Sequence, residues 1–240
     1  MQFSERVIKV TWLILAGFIA KIVVEILHEG GHLLVAFLTN GYVEEVYISP
    51  LWPYESSHVI ANVKGFYAKL LFAVAGITVV IFFCLIVTFI VMPKIRGIDR
   101  KFLVAVYPFL VWFSFWSFLN ALGYMVLGSF KPFGDIKAIT TMLKINSIYF
   151  LPLAIILAVP LIVRISDENA KMMEMLFPSL TGKKWVGPLI WIFAVLVTLL
   201  VIIPGSSYNF NGNFVFFLLL LLMSFLPFLF STLLYYVFRD

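Results

Sequence analysis

The sequence predicts an all-α polytopic membrane protein, with about six transmembrane helices and a small β segment after the first. Three observations carry this. Of the 240 residues, 63% are hydrophobic, 18% are aromatic and only 12% are charged. The mean hydropathy is +1.08, more apolar surface than a soluble domain of this size needs. Six apolar segments are long enough to cross a bilayer, at 8–37, 66–92, 102–128, 148–165, 186–204 and 214–238; a crossing takes about 20 residues of helix. Lipid offers the backbone no hydrogen bonds, so these segments are expected to be helices.

The first segment follows Arg6 and Lys9 and opens like a signal peptide, with "VTWLILAGFIA". Lys21 and Glu25 interrupt the zone where cleavage would fall, and the helical pattern runs past them. A retained span is expected, tilted or projecting because it is too long for one perpendicular crossing. Residues 39–64 alternate apolar and polar through "YVEEVYI", then carry "SPLWPYESS". That pattern reads as a strand, a turn-rich stretch, and a second strand at "SHVIANV". Pro108, Pro160 and Pro227 fall inside spans and are expected to kink them. After the fourth span, "SDENAKMMEMLF" reads as a separate short helix capped by Ser166 or Asp167. Residues 1–147 form a three-span core that carries the chemistry, and 148–240 a three-span scaffold or gate.

Charge gives an orientation. Eleven Lys and Arg residues lie in the N-terminus, the 93–101 and 164–185 loops and the C-terminus, against four in the alternate loops. Both termini are therefore expected in the cytoplasm, in a multi-pass protein of the plasma membrane. The net charge of +5 fits basic loops beside anionic lipid. No basic run is interleaved with polar sequence, so nucleic acid is not an expected partner. The single cysteine, Cys84, lies in an apolar run and excludes an intrachain disulfide.

The chemistry is concentrated in "EILHEGGHLL", residues 25–34. His28 and His32 are four apart, which puts both imidazoles on one helical face. Glu29 lies between them, completing H-E-x-x-H: two nitrogen ligands for zinc and a carboxylate placed as general base. Ionisable groups at membrane depth are costly and mark function. Gly30 and Gly31 leave room either for a substrate or for close helix packing. Glu25 is placed either to hydrogen-bond a ligand histidine or to pair with Lys21.

A hydrolytic zinc site needs a third protein ligand and an open position. The remaining donors are His58, Asp135, Glu44, Glu45, Glu55 and Glu174. The motif ends span one, so the end of span three lies on the same side. There "GSFKPFGDIKAI" presents Asp135, with Pro132 and Gly134 suited to a turn. Asp135 is expected as the ligand, with helix capping at Ile136 as the alternative and His58 as the next ligand candidate. Asn120, in "FLNALGY", either donates to a substrate carbonyl or oxyanion or makes an interhelical hydrogen bond.

These features resemble the site-2 protease family of intramembrane zinc metalloproteases. The likeness rests on "HEGGH" within a span, on "NGYVEEVYISP" after it, and on an aspartate two spans later with Asn120 upstream; it covers roughly residues 15–145. It implies Zn2+ held by His28, His32 and Asp135, with Glu29 as catalytic base. It also implies that the 41–49 strand, with Val43 and Val46, pairs with an unwound stretch of a membrane-protein or peptide substrate. The family's third ligand usually follows an Asn and a Pro within Leu-Asp-Gly. Here the order is Gly134-Asp135, fifteen residues after Asn120, which marks a divergent member. The charge count also puts the end of span one outside the cytoplasm, whereas the family's site opens toward the cytosol. Two other functions are to be weighed: a transporter binding metal or protons, and a silent membrane scaffold. The transporter would need polar residues in spans four to six, which are nearly all apolar.

Overall fold

The computed structural model describes residues 3–49 and 56–178, with Leu189, Ile192 and Phe193 besides. The fifth and sixth expected spans, 186–204 and 214–238, fall outside the described residues but for those three. Among the described residues, four helices are long and apolar enough to cross a membrane: Ser4–Leu38, Phe66–Ile95, Arg100–Phe130 and Ser147–Leu176.

Helix α1 (Phe3–Leu38) is the longest element among the described residues. Its small residues Ala16, Gly17 and Ala20 let it lie close to the third span. A Cβ added at Gly17 would come within 2.8 Å of the Trp112 ring. The helix stops at a left-handed residue, Asn40, with φ 52°. There Gly41 N–H donates to Ala36 at 2.7 Å and Asn40 N–H to Phe37 at 3.1 Å, a Schellman-type ending that uses up the last free carbonyls. The chain then reverses into strand β1 (Tyr42–Tyr47), which pairs antiparallel with β2 (His58–Asn62). Val46 faces Val59 and Val43 faces Ala61, with a bulge between Val43 and Glu45. The hairpin folds back along α1. At its far end Ser57 accepts the Ser49 N–H at 3.0 Å and hydrogen-bonds Glu25, more than three turns before α1 ends.

Helix α2 (Phe66–Ile86) packs on α1. The approach is close because Gly31 has no side chain: a Cβ there would lie 2.8 Å from the Ala75 carbonyl oxygen. A π turn at Val87–Val91 carries the span into α3 (Met92–Ile95). Helix α4 (Arg100–Phe118) is capped by Asp99, whose carboxylate accepts the Lys101 N–H at 3.0 Å. It brings Trp112, Phe115, Trp116 and Phe118 into full burial and forms the centre of the core, with the two indoles stacked at 6.1 Å. A second π turn, Leu119–Gly123, leads into α5 (Tyr124–Phe130). Helix α6 (Gly134–Leu143) is short and lies beyond the third span.

The fourth span differs from the expectation. Helix α7 runs unbroken from Phe150 to Leu176, so Ser166 and Asp167 are interior helical residues and not caps of a separate helix. The polar run "SDEN" stays in the helix because it meets partners on other spans. Glu168 is fully buried. It accepts from Tyr107 and Arg96 and pairs with Arg164 at 2.9 Å. Arg164 and Lys171, which fall in the 164–185 stretch expected as a loop, thus belong to the last turns of a helix. This polar cluster ties the second, third and fourth spans together near the ends opposite to the β hairpin.

Candidate metal centre

Two elements converge on one point. Helix α1 supplies His28 and His32, one turn apart on the same face. Asp135, in the first turn of α6, comes to them from beyond the third span. His28 Nε2 lies 3.2 Å from Asp135 Oδ2, His32 Nε2 lies 3.4 Å from it, and the two Nε2 atoms are 3.3 Å apart. The histidines are buried and Asp135 is half-buried. The group can hold a metal ion.

The proton inventory favours a cation there. His28 Nδ1 is 2.9 Å from the Asn120 side-chain oxygen, and His32 Nδ1 is 2.7 Å from the Phe72 carbonyl. Both acceptors lack a proton, so each imidazole donates at Nδ1, and in the neutral ring the lone pair is then at Nε2. Asp135 Oδ2 is buried and takes no hydrogen bond. Three electron-rich atoms therefore face one another at van der Waals distance. A positive charge is what these atoms call for: protonated imidazoles facing Asp135 hold its carboxyl at about 2 against the burial that pushes it up, and a bound cation would stand in the same place.

The space is kept clear by glycine. A Cβ at Gly76 of α2 would stand 2.6 Å from both Nε2 atoms, where a ligand would sit. Of the two glycines between the histidines, only Gly31 makes a close approach to another element. Gly31 serves helix packing, while a Cβ at Gly30 would meet nothing within 4 Å.

Glu29 is buried on the same helix and interacts electrostatically with His28, His32, Asp135 and His58. Glu25 makes no direct hydrogen bond to a ligand histidine: it accepts from the Asn120 amide at 2.8 Å, which in turn holds His28, and it interacts electrostatically with Lys21, which is itself buried. Asn120 thus uses its oxygen on His28 and an amide hydrogen on Glu25, a bond between spans. It is held in place by the π turn Leu119–Gly123, a feature that recurs at functional sites.

His58 does not join the group. It lies on the hairpin, 3.5 Å from Glu45, with its ring 5.6 Å from that of Tyr47. Glu44 and Glu174 are exposed, and Glu55 lies outside the described residues. Val43 is half-buried and Val46 exposed on β1, whose only strand partner among the described residues is β2.

Two residues of the site were not foreseen. Gly76 has no signal beyond being a small residue in an apolar run. Tyr124 is four residues after Asn120, a spacing that points both side chains the same way along a helix. Its hydroxyl accepts the Asp135 N–H at 3.0 Å. Its ring packs on Phe133 at 4.5 Å and lies 6.3 Å from His28. Compared with family models, curated proteins and solved structures, the chain matches none.

Proposed function

We propose that this chain is a membrane-embedded zinc metallopeptidase, of the site-2 protease type, that hydrolyses peptide bonds of membrane-protein substrates within or near the bilayer. One observation carries the proposal: the convergence of His28, His32 and Asp135 lone pairs beside Glu29, in a protein of apolar spans. The donor set suits zinc. Tetrahedral coordination at about 2.0–2.1 Å puts neighbouring ligand atoms about 3.3 Å apart, and the three separations here run from 3.2 to 3.4 Å. Three protein ligands leave a fourth position open, as a catalytic site requires.

Zinc bound there would supply Lewis acidity and a water of lowered pKa. The residues of the chain do the rest. Glu29 takes a proton from the attacking water and passes it to the leaving amine. Asn120 and the Phe72 carbonyl hold the imidazoles in the tautomer that ligates. The hairpin offers the outer edge of β1, around Val43 and Val46, to a substrate segment unwound from its helix. Main-chain pairing there would present the scissile carbonyl in extended form. A transporter finds less support, because the apolar segments 186–204 and 214–238 carry no charged residue.

The test is Glu29→Gln in purified protein. Zinc content is expected to stay at one per chain while cleavage of a transmembrane peptide is lost. Undiminished cleavage by this variant would remove Glu29 as the base, and absence of zinc from wild type would remove the assignment.

A further inference from the structure

We propose that Tyr124 is a catalytic residue whose hydroxyl donates to the scissile carbonyl oxygen as negative charge develops there. This rests on the peptidase assignment and gives it the oxyanion donor that Asn120 cannot readily be. Asn120 is committed to His28 and Glu25 at 2.9 and 2.8 Å and is buried. Tyr124 is placed differently. Its oxygen already accepts the Asp135 N–H, so the hydroxyl is anchored next to a metal ligand. No described residue accepts its own proton. The side chain is half-buried, open enough for a substrate to reach. Its ring also lies 6.3 Å from that of His28, so the side chain stands beside two of the three groups that would hold the metal.

The surroundings are shaped to admit this hydroxyl. A Cβ at Gly134 would lie 1.6 Å from Tyr124 Oη, so only glycine lets the ring slide over the turn. Phe133 fixes the ring edge-to-face. A donor held by an N–H from behind and packed from the side needs no reorganisation when charge appears. In the step itself, the water oxygen bonds to the carbonyl carbon and the C=O electron pair moves onto oxygen. Tyr124 donates a hydrogen bond to that oxygen without losing its proton. The pair then returns, the C–N bond breaks, and Glu29 delivers the proton taken from water to the amine nitrogen. Peptide and water give acid and amine.

The variant is Tyr124→Phe in the full chain, loaded with zinc in lipid nanodiscs. The probes are a fluorogenic transmembrane peptide and its phosphinic analogue, in which a tetrahedral phosphorus replaces the scissile carbonyl. Expected are one zinc per chain, KM nearly unchanged, and kcat lowered roughly 100-fold, the usual loss for one oxyanion donor. Calorimetry should show weaker binding of the phosphinic peptide by a similar factor, with the uncleaved peptide bound as in wild type. If saturating zinc restores full activity to the variant, Tyr124 only positions Asp135 and the proposal is overturned. Wild-type kcat in the variant overturns it too, while leaving the peptidase assignment intact. Zinc-loaded wild type that cleaves nothing would end both.

Discussion

Asn120 and His28 meet across two spans at 2.9 Å, and the same amide reaches Glu25 at 2.8 Å. Carboxylate, amide and imidazole form a chain with one direction: Glu25 accepts from Asn120, and Asn120 accepts from His28. Turning the amide over would set its oxygen against the Glu25 carboxylate, two acceptors face to face. Glu25 therefore fixes the amide, the amide fixes the tautomer, and the tautomer leaves His28 Nε2 free to bind a cation.

Breaking that chain should cost metal affinity. Asn120→Leu leaves a buried carboxylate and a buried imidazole N–H unpaired, and is expected to weaken zinc roughly 10–100-fold in a chelator competition assay. The direction of the chain gives a sharper test. Asn120→Asp alone sets two carboxyl groups against each other. Adding Glu25→Gln restores one donor and one acceptor to that bond with its direction reversed, and the new carboxylate still accepts from His28, so the double variant should recover more affinity than the two single effects predict. Strict additivity would show that the two residues do not act through one another.

Gly76→Ala is expected to abolish zinc binding and leave the fold intact. The new methyl would stand 2.6 Å from both Nε2 atoms, a contact neither ring can escape while its Nδ1 is held. Gly30→Ala is the matched control. Its methyl meets nothing, and replacing a helical glycine should stabilise by about 1 kcal/mol. Metal analysis and thermal unfolding of the two variants separate site blockage from helix disruption. Full zinc content in Gly76→Ala would mean the metal does not sit between these nitrogens.

What the sequence made legible follows from where the determinants lie. The His28–Glu29–His32 face depends on spacing within one helix, and the strands depend on local alternation. Asp135 could be placed by counting crossings, because a membrane reduces topology to a choice of side. Tyr124 carries its spacing from Asn120 as a signal, but its contact with Asp135 needed the left-handed Gly134, which is not written in periodicity. The polar run at Ser166–Asn169 was misread for a similar reason. Its partner Tyr107 is 61 residues away from Glu168, and without that partner a run of polar residues reads as the end of a span.

Glu168 gives a prediction about stability apart from the metal. Its carboxylate is fully buried among Arg96, Tyr107 and Arg164. Removing one side of a buried ion pair costs about 3–5 kcal/mol, less here because both arginines keep some exposure. Glu168→Ala should therefore lower the unfolding temperature clearly, and Glu168→Gln less, since the amide oxygen still accepts. Zinc affinity should move little in either. A variant as stable as wild type would demote the cluster to a surface contact that binds no spans together.

Gly134→Ala tests how Asp135 is presented. Glycine is required there twice over. Its φ of +47° lies in the left-handed region, where a side chain costs roughly 1–2 kcal/mol, and its missing Cβ makes room for Tyr124 Oη at 1.6 Å. The single variant should displace the tyrosine, pull α6 from its start and weaken zinc. Tyr124→Phe removes the atom that clashes, so in the double variant zinc affinity should partly return, although peptide cleavage should not. The return is only partial because the backbone strain remains and the ring carbon Cζ is still 3.0 Å from the new methyl. Zinc affinity in the double variant equal to or below that of Gly134→Ala would place the whole cost in the backbone and none in the hydroxyl.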